Sequence, residues 1–144
     1  MFVLVLAGAG VIVLLGLVHA FLTFRSSPDG GPMMPTDANV RETMLLSTGL
    51  GLAPRIDTTL WKAWIGFNLS HSLGVVVVGV LIGLPVARKL KCPIDNWLWL
   101  TTSLCLPWIY RSIAQRYWFA QPTRGITFAT LLILTGIVGQ WATS

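Results

Sequence analysis

Between Trp61 and Val86 the chain carries one charged side chain, Lys62, and otherwise runs as an apolar segment broken only by a cluster of polar residues at Asn68, Ser70, His71 and Ser72. About 20 apolar residues wound as a helix match the roughly 30 Å hydrocarbon core of a bilayer. A segment of this length and composition is therefore read as a membrane-spanning helix. Lipid tails offer no hydrogen bonds, so the four polar side chains are expected to face another helix, water or a ligand.

Composition agrees. Of the 144 residues, 54% are hydrophobic and only 10% charged, against about 25% charged in soluble domains. The length leaves room for about four spans of roughly 20 residues each. The expected fold is all-α, a bundle of four transmembrane helices at residues 2–24, 60–86, 96–113 and 125–142. These form a single integral membrane domain over residues 1–144, with a short amphipathic helix in the polar first loop, residues 25–57. A net charge of +5 would suggest nucleic acid in a soluble protein. Here the basic residues flank the spans, where they anchor to anionic headgroups and bias orientation. No basic and aromatic stripe lies outside the spans, so a nucleic-acid partner is not expected.

Local signals place the ends of these elements. Small residues, Gly8 and Gly16 among them, interrupt the Val/Leu surface of the first span and permit close helix approach. A cleaved signal peptide is the competing reading, on the strength of Val18-His19-Ala20, but it lacks a positively charged n-region. Arg25 to Pro32 is turn material. Thr36 or Asp37 can cap a short helix through about Thr48, ended by Gly49 or Gly51, with Val40, Met44, Leu45 and Leu46 towards the membrane surface or the bundle. Asp57 or Thr58 can cap the second span, and Trp61, Lys62 and Trp64 form an interfacial anchor. Pro85 and Arg88-Lys89-Leu90-Lys91 close that span on the opposite side. The third span starts at a Trp97/Trp99 belt and should bend at Pro107. It is followed by an amphipathic exit from Arg111 to Phe119 that ends at Gln121-Pro122. Cys92 in a polar loop and Cys105 in a span, roughly 20 Å apart along a helical path, are expected to be two structural thiols rather than a disulfide.

With four spans, both termini and the loop from Arg88 to Asp95 share one side. Arg88, Lys89 and Lys91 are concentrated there, while Arg25, Arg41, Arg55, Lys62, Arg111, Arg116 and Arg124 are spread over the other side. The positive-inside rule favours the larger count as cytoplasmic, but the short loop has the denser charge. Orientation stays open.

The polar residues supply one specific hypothesis. Asn68, His71, Val75, Gly79 and Gly83 follow steps of three and four and fall along one helical stripe. The Gly79-x-x-x-Gly83 contact pattern therefore shares a face with the polar cluster. His19, measured from the same membrane side, lies at a depth of roughly 7 Å against roughly 16 Å for His71, near but poorly level. Tyr110, Arg111, Gln115, Arg116 and Tyr117 leave the third span on that side. A ligand pocket lined by His71, Asn68, Ser70, Ser72, His19 and these five residues is thus available to a lipid, quinone or isoprenoid headgroup. The blander reading is a hydrogen-bonded helix contact, worth about 0.6 and up to about 1.7 kcal/mol. Haem held by His19 and His71 has suitable residue types, but the depth mismatch argues against it. Ion or proton relays usually use a carboxylate, and no Asp or Glu lies in any of the expected spans. No cofactor or metal site is expected, and no nucleophile–base–acid triad or phosphate loop is present.

The pattern Trp61-x-x-Trp64-x-Gly66-Phe67-Asn68-x-Ser70-His71-Ser72-x-Gly74, with a His-containing first span and Arg116-Tyr117-Trp118-Phe119-x-x-Pro122, resembles a family of small uncharacterised bacterial four-helix integral membrane proteins. The resemblance covers most of the chain, and the Gly-Phe-Asn-x-Ser-His-Ser core is its most specific part. It implies the four-helix topology and a multi-pass location in a bacterial cytoplasmic membrane, and it transfers no reaction. The leading expectation is a non-catalytic packing or accessory component that self-associates or joins a partner membrane subunit among membrane lipids. The rival is a membrane-embedded enzyme or binder of an amphiphilic ligand.

Overall fold

The computed structural model describes residues 2–48, 58–88, 96–118 and 120–142. Among the described residues the fold is all-α and no strand forms. The helices are α1 (Phe2–Phe24), α2 (Ala38–Leu46), α3 (Leu60–Ala87), α4 (Trp97–Tyr117) and α5 (Ala120–Trp141). Three of them, α1, α3 and α5, are long and apolar enough to cross a membrane. Much of their apolar surface faces outward, as at Leu14, Phe21, Leu73, Leu81, Phe128 and Leu131. In water such surface would drive association, whereas in lipid it is already solvated.

The expected fourth span is not clearly one. α4 is 21 residues long, but Thr101, Thr102, Ser103, Tyr110, Arg111, Ser112, Gln115 and Arg116 thin out its apolar residues. Its bounds also differ from the expected 96–113. Asn96 caps the helix from outside, its side chain accepting from the amides of Leu98 and Trp99, and the exit segment continues the same helix to Tyr117. Nor do Gln121 and Pro122 break the chain before residue 125, because α5 already starts at Ala120. A proline in a first turn removes an amide that has no intrahelical partner anyway.

The chain divides into two compact units, residues 1–16 with 74–144, and residues 17–73. The first is built on apolar stripes at helical spacing. Val5, Ala9 and Ile12 of α1 join Val75, Val78, Ile82 and Val86 of α3, Trp99 and Ala114 of α4, and Ile126, Ala129, Ile133 and Ile137 of α5 in one core. Glycines bring the backbones together within it. A Cβ added at Gly8 would lie 2.7 Å from the Ala129 carbonyl oxygen, and one at Gly79 2.9 Å from that of Ala9. One at Gly83 would approach Ala9 Cβ to 3.1 Å. Gly16 is buried in α1. Trp99 Nε1 donates to the Ile82 carbonyl at 3.0 Å, so its indole fills the core without stranding a donor. Ser103 departs from this economy: its hydroxyl is buried without a partner. Pro107, one helical turn on and fully buried, has no amide to give the Ser103 carbonyl.

The second unit is organised around α2 and the first turns of α3. Asp37 caps α2, accepting from the amides of Asn39 and Val40. α2 ends at Leu46, two residues short of the expected Thr48, because Ser47 turns to an extended conformation. There the Ser47 carbonyl accepts the Leu60 amide. Gly49 and Gly51, the expected stop signals, lie outside the described residues, as do Asp57, Arg55, Lys89, Lys91 and Cys92. Thr59, rather than Thr58, caps α3, its hydroxyl accepting the Lys62 amide at 3.3 Å. Met34, Met44 and Trp61 form a small core with Leu45 and Ile65 against it. Val40 and Leu46, expected with Met44 and Leu45 towards the membrane surface or the bundle, are exposed. Gly31 permits the turn before α2: its φ is 141°, and a Cβ there would meet Ser26 Cα at 2.6 Å.

Candidate functional site

Within residues 17–73, His19 and Ser72 meet at Asn68. Its side-chain oxygen lies 2.8 Å from His19 Nε2, and its side-chain nitrogen donates to the Trp64 carbonyl at 2.8 Å. The second bond settles the first. A carbonyl accepts only from the amide nitrogen, so the oxygen must face His19, and His19 must donate through Nε2–H. Asn68 is 4% exposed, and both bonds are partly buried.

Two hydroxyls complete the group. Ser72 Oγ donates to the Asn68 backbone carbonyl at 2.7 Å, and Thr23 Oγ1 to that of His19 at 2.8 Å. Each bonds one turn back along its own helix, which satisfies a hydroxyl without a second helix. Each is 1% exposed. The His71 ring meets that of His19 edge to face at 5.6 Å, and Phe67 stacks on its other side at 6.2 Å. His71 is half-buried, whereas Phe67 is exposed. The histidines thus form a short aromatic row, closed inward by Asn68 and outward by Phe67.

This geometry corrects the expected depth mismatch between His19 and His71. Counting residues from each helix end assumed that α1 stops level with the start of α3. Instead, the first turn of α3 is held by the chain that follows α1. Trp61 packs with Met34 and Met44, and Trp64 Nε1 donates to the Met33 carbonyl at 3.2 Å. The first turn of α3 therefore extends past the last turn of α1, which levels His19 with Asn68 and His71.

Ser70 does not join the group. It is exposed and donates to the Phe67 carbonyl at 2.9 Å. Two residues beyond Asn68 on a helix is about 200° of rotation, so it points away. Tyr110, Arg111, Gln115, Arg116 and Tyr117 belong to α4 in the other unit. There Arg111 donates to Gln115 Oε1 at 3.2 Å and lies 5.1 Å above the Trp108 ring. Arg116 sits 5.7 Å from the Tyr117 ring, Tyr117 is exposed, and Tyr110 packs against the core. Thr23, Phe67 and the Trp64 carbonyl were missed in the sequence. Their signal is spacing alone, since Thr23 follows His19, and Phe67 precedes His71, by one helical turn.

The arrangement has limited chemical scope. Among the described residues no group of three or more His, Cys, Asp or Glu side chains could hold a metal ion. Of the ring nitrogens that haem ligation by both histidines would use, His19 Nε2 is turned to Asn68. Cys105 is a free thiol, exposed on α4. What the group does is join α1 to α3 through a partly buried hydrogen bond. Comparison with protein-family models, curated proteins and solved structures finds no match.

Proposed function

We propose that the protein is a non-catalytic packing or accessory component of a membrane assembly, a multi-pass protein of a bacterial cytoplasmic membrane that self-associates or joins a partner membrane subunit. The observation that carries this reading is the closure of the Asn68 group. His19 and Asn68 bond each other between α1 and α3, while Ser72 and Thr23 bond back along their own helices, which supports reading the pair as a helix fastener. The absence of Asp and Glu from α1, α3, α4 and α5 removes the usual proton or ion carrier. The resemblance of the Gly-Phe-Asn-x-Ser-His-Ser core to small bacterial membrane proteins supports the location. A second reading, a binder of an amphiphilic ligand, draws on His71, half-buried beside the exposed Phe67.

Native mass spectrometry from nanodiscs distinguishes the two. An oligomer, or a complex with another membrane subunit, is expected. A lone monomer would remove the basis of the accessory reading, and an amphiphile retained by the wild type but lost in His71→Leu would establish the second.

On this proposal α4 is the fourth span, with Ser103 buried in the bundle and Arg111, Gln115 and Arg116 at its headgroup end. The termini and Cys92 then share one side, opposite Ser27. In a Cys105→Ser background, an impermeant maleimide should label Cys92 and a cysteine at Ser144 alike, and a cysteine at Ser27 oppositely. Equal labelling at all three positions would show a different number of crossings.

A further inference from the structure

We infer that the N-terminal half of α5 carries a binding site for an anionic phospholipid, with the phosphate on Arg124 and an acyl chain along Phe128 and Leu131. A shallow, largely open depression of about 280 Å³ lies on one face of this helix, lined by Thr123, Arg124, Thr127, Phe128 and Leu131. At that size and so open, it is smaller than the roughly 300–1,000 Å³ of enclosed small-molecule sites, and it suits one acyl segment lying along the helix rather than a compact solute. The lining residues recur at steps of three and four, so they form one stripe. From Arg124 to Leu131 that stripe climbs about 10 Å along the helix axis, from the end of a candidate span towards its middle.

The stripe is polar at one end only. The Thr123 hydroxyl donates to the Ala114 carbonyl and that of Thr127 to the Thr123 carbonyl, so neither offers its hydrogen outward. Phe128 and Leu131 are 57% and 53% exposed and present apolar surface. Arg124 is exposed. Arg111 and Arg116 on α4 are engaged by Trp108, Gln115 and Tyr117. The Arg124 guanidinium has no such partner among the described residues. It also stands near the positive end of the α5 dipole. A free guanidinium above an apolar groove matches an anion carried on a hydrocarbon chain, and its fork suits phosphate oxygens. A zwitterionic lipid fits less well, because its ammonium group would face the same cation.

The test is native mass spectrometry of the detergent-purified protein titrated with phosphatidylglycerol or phosphatidylcholine. The wild type should retain phosphatidylglycerol in preference. Arg124→Gln should weaken that retention about fivefold, the size of one basic contact with an anionic membrane, and phosphatidylcholine retention by less, so that the preference between the two lipids is lost. Phe128→Ala should weaken both lipids. Both side chains are exposed, so unchanged thermal unfolding is expected and is checked alongside. Arg116→Gln, an arginine outside the groove, should have little effect. Equal losses from Arg116→Gln and Arg124→Gln would show diffuse surface charge and overturn the site, as would the absence of any preference between the lipids. Neither result bears on oligomeric state.

Discussion

Replacing Gly79 with leucine is expected to prevent the first compact unit from assembling, and replacing it with alanine to cost about 1–3 kcal/mol, the range for overpacked cores. An added Cβ would lie 2.6 Å from Val13 Cγ2, 2.9 Å from the Ala9 carbonyl oxygen and 3.0 Å from the Val13 amide nitrogen. Ordinary contacts between such atoms are about 3.5–4.0 Å. Two of the three neighbours are backbone, so no rotamer change relieves them, and α1 must move away from α3 by up to about 1 Å. Within a bilayer no hydrophobic force draws the helices back together, since association there rests on packing and hydrogen bonds. Thermal unfolding in mild detergent reads the effect, with Gly10→Ala as the control. A Cβ at Gly10 meets nothing within 4 Å, and removing a helical glycine there should be neutral or slightly stabilising. Equal melting temperatures for wild type and Gly79→Leu would show that α1 and α3 do not pack at this glycine.

Asn68→Leu should be the most destabilising change in the polar group, by about 1–3 kcal/mol. The substitution removes the acceptor for His19 and the donor to the Trp64 carbonyl together. It leaves the Nε2–H of His19 facing a hydrocarbon side chain, and an unsatisfied buried donor costs more than a made hydrogen bond gains. His71→Leu should cost less, about 1 kcal/mol or below, because its ring packs at the edge of the group with one side towards the exposed Phe67. Unfolding of the two variants side by side measures the order. A larger loss from His71→Leu would move the centre of the cluster from Asn68 to His71.

The sequence made three apolar helices of spanning length and most of the inward stripe of α3 legible because both depend on local composition and on the 3.6-residue period. Asn68, Val75, Gly79 and Gly83 are all buried. The Asp37 cap was equally legible, since a side chain two or three residues from the amides it accepts is a local event. The level of His19 against His71 was not. It depends on how far the start of α3 extends past the end of α1, which is fixed by Trp61 on Met34 and Met44 and by Trp64 on the Met33 carbonyl. Those contacts span a loop, and no periodicity encodes them. Ser70 shows a different limit. Adjacency in sequence grouped it with His71 and Ser72, while helical rotation turned it outward. In α4 the polar residues Thr101, Thr102, Ser103, Arg111, Ser112, Gln115 and Arg116 lower its apolar content, so length alone does not make it a span.

A double-mutant cycle on His19 and Asn68 tests the central claim, that these two side chains fasten α1 to α3 as a structural pair. Thermal or denaturant unfolding of His19→Leu, Asn68→Leu and the double variant gives their coupling. The account predicts a favourable coupling of about 0.6–1.7 kcal/mol, the range for interhelical hydrogen bonds in membrane proteins, with the double variant less damaged than the two single losses combined. Strictly additive losses would contradict it, because they would mean that His19 and Asn68 stabilise the protein independently and that the 2.8 Å contact carries no energy of its own.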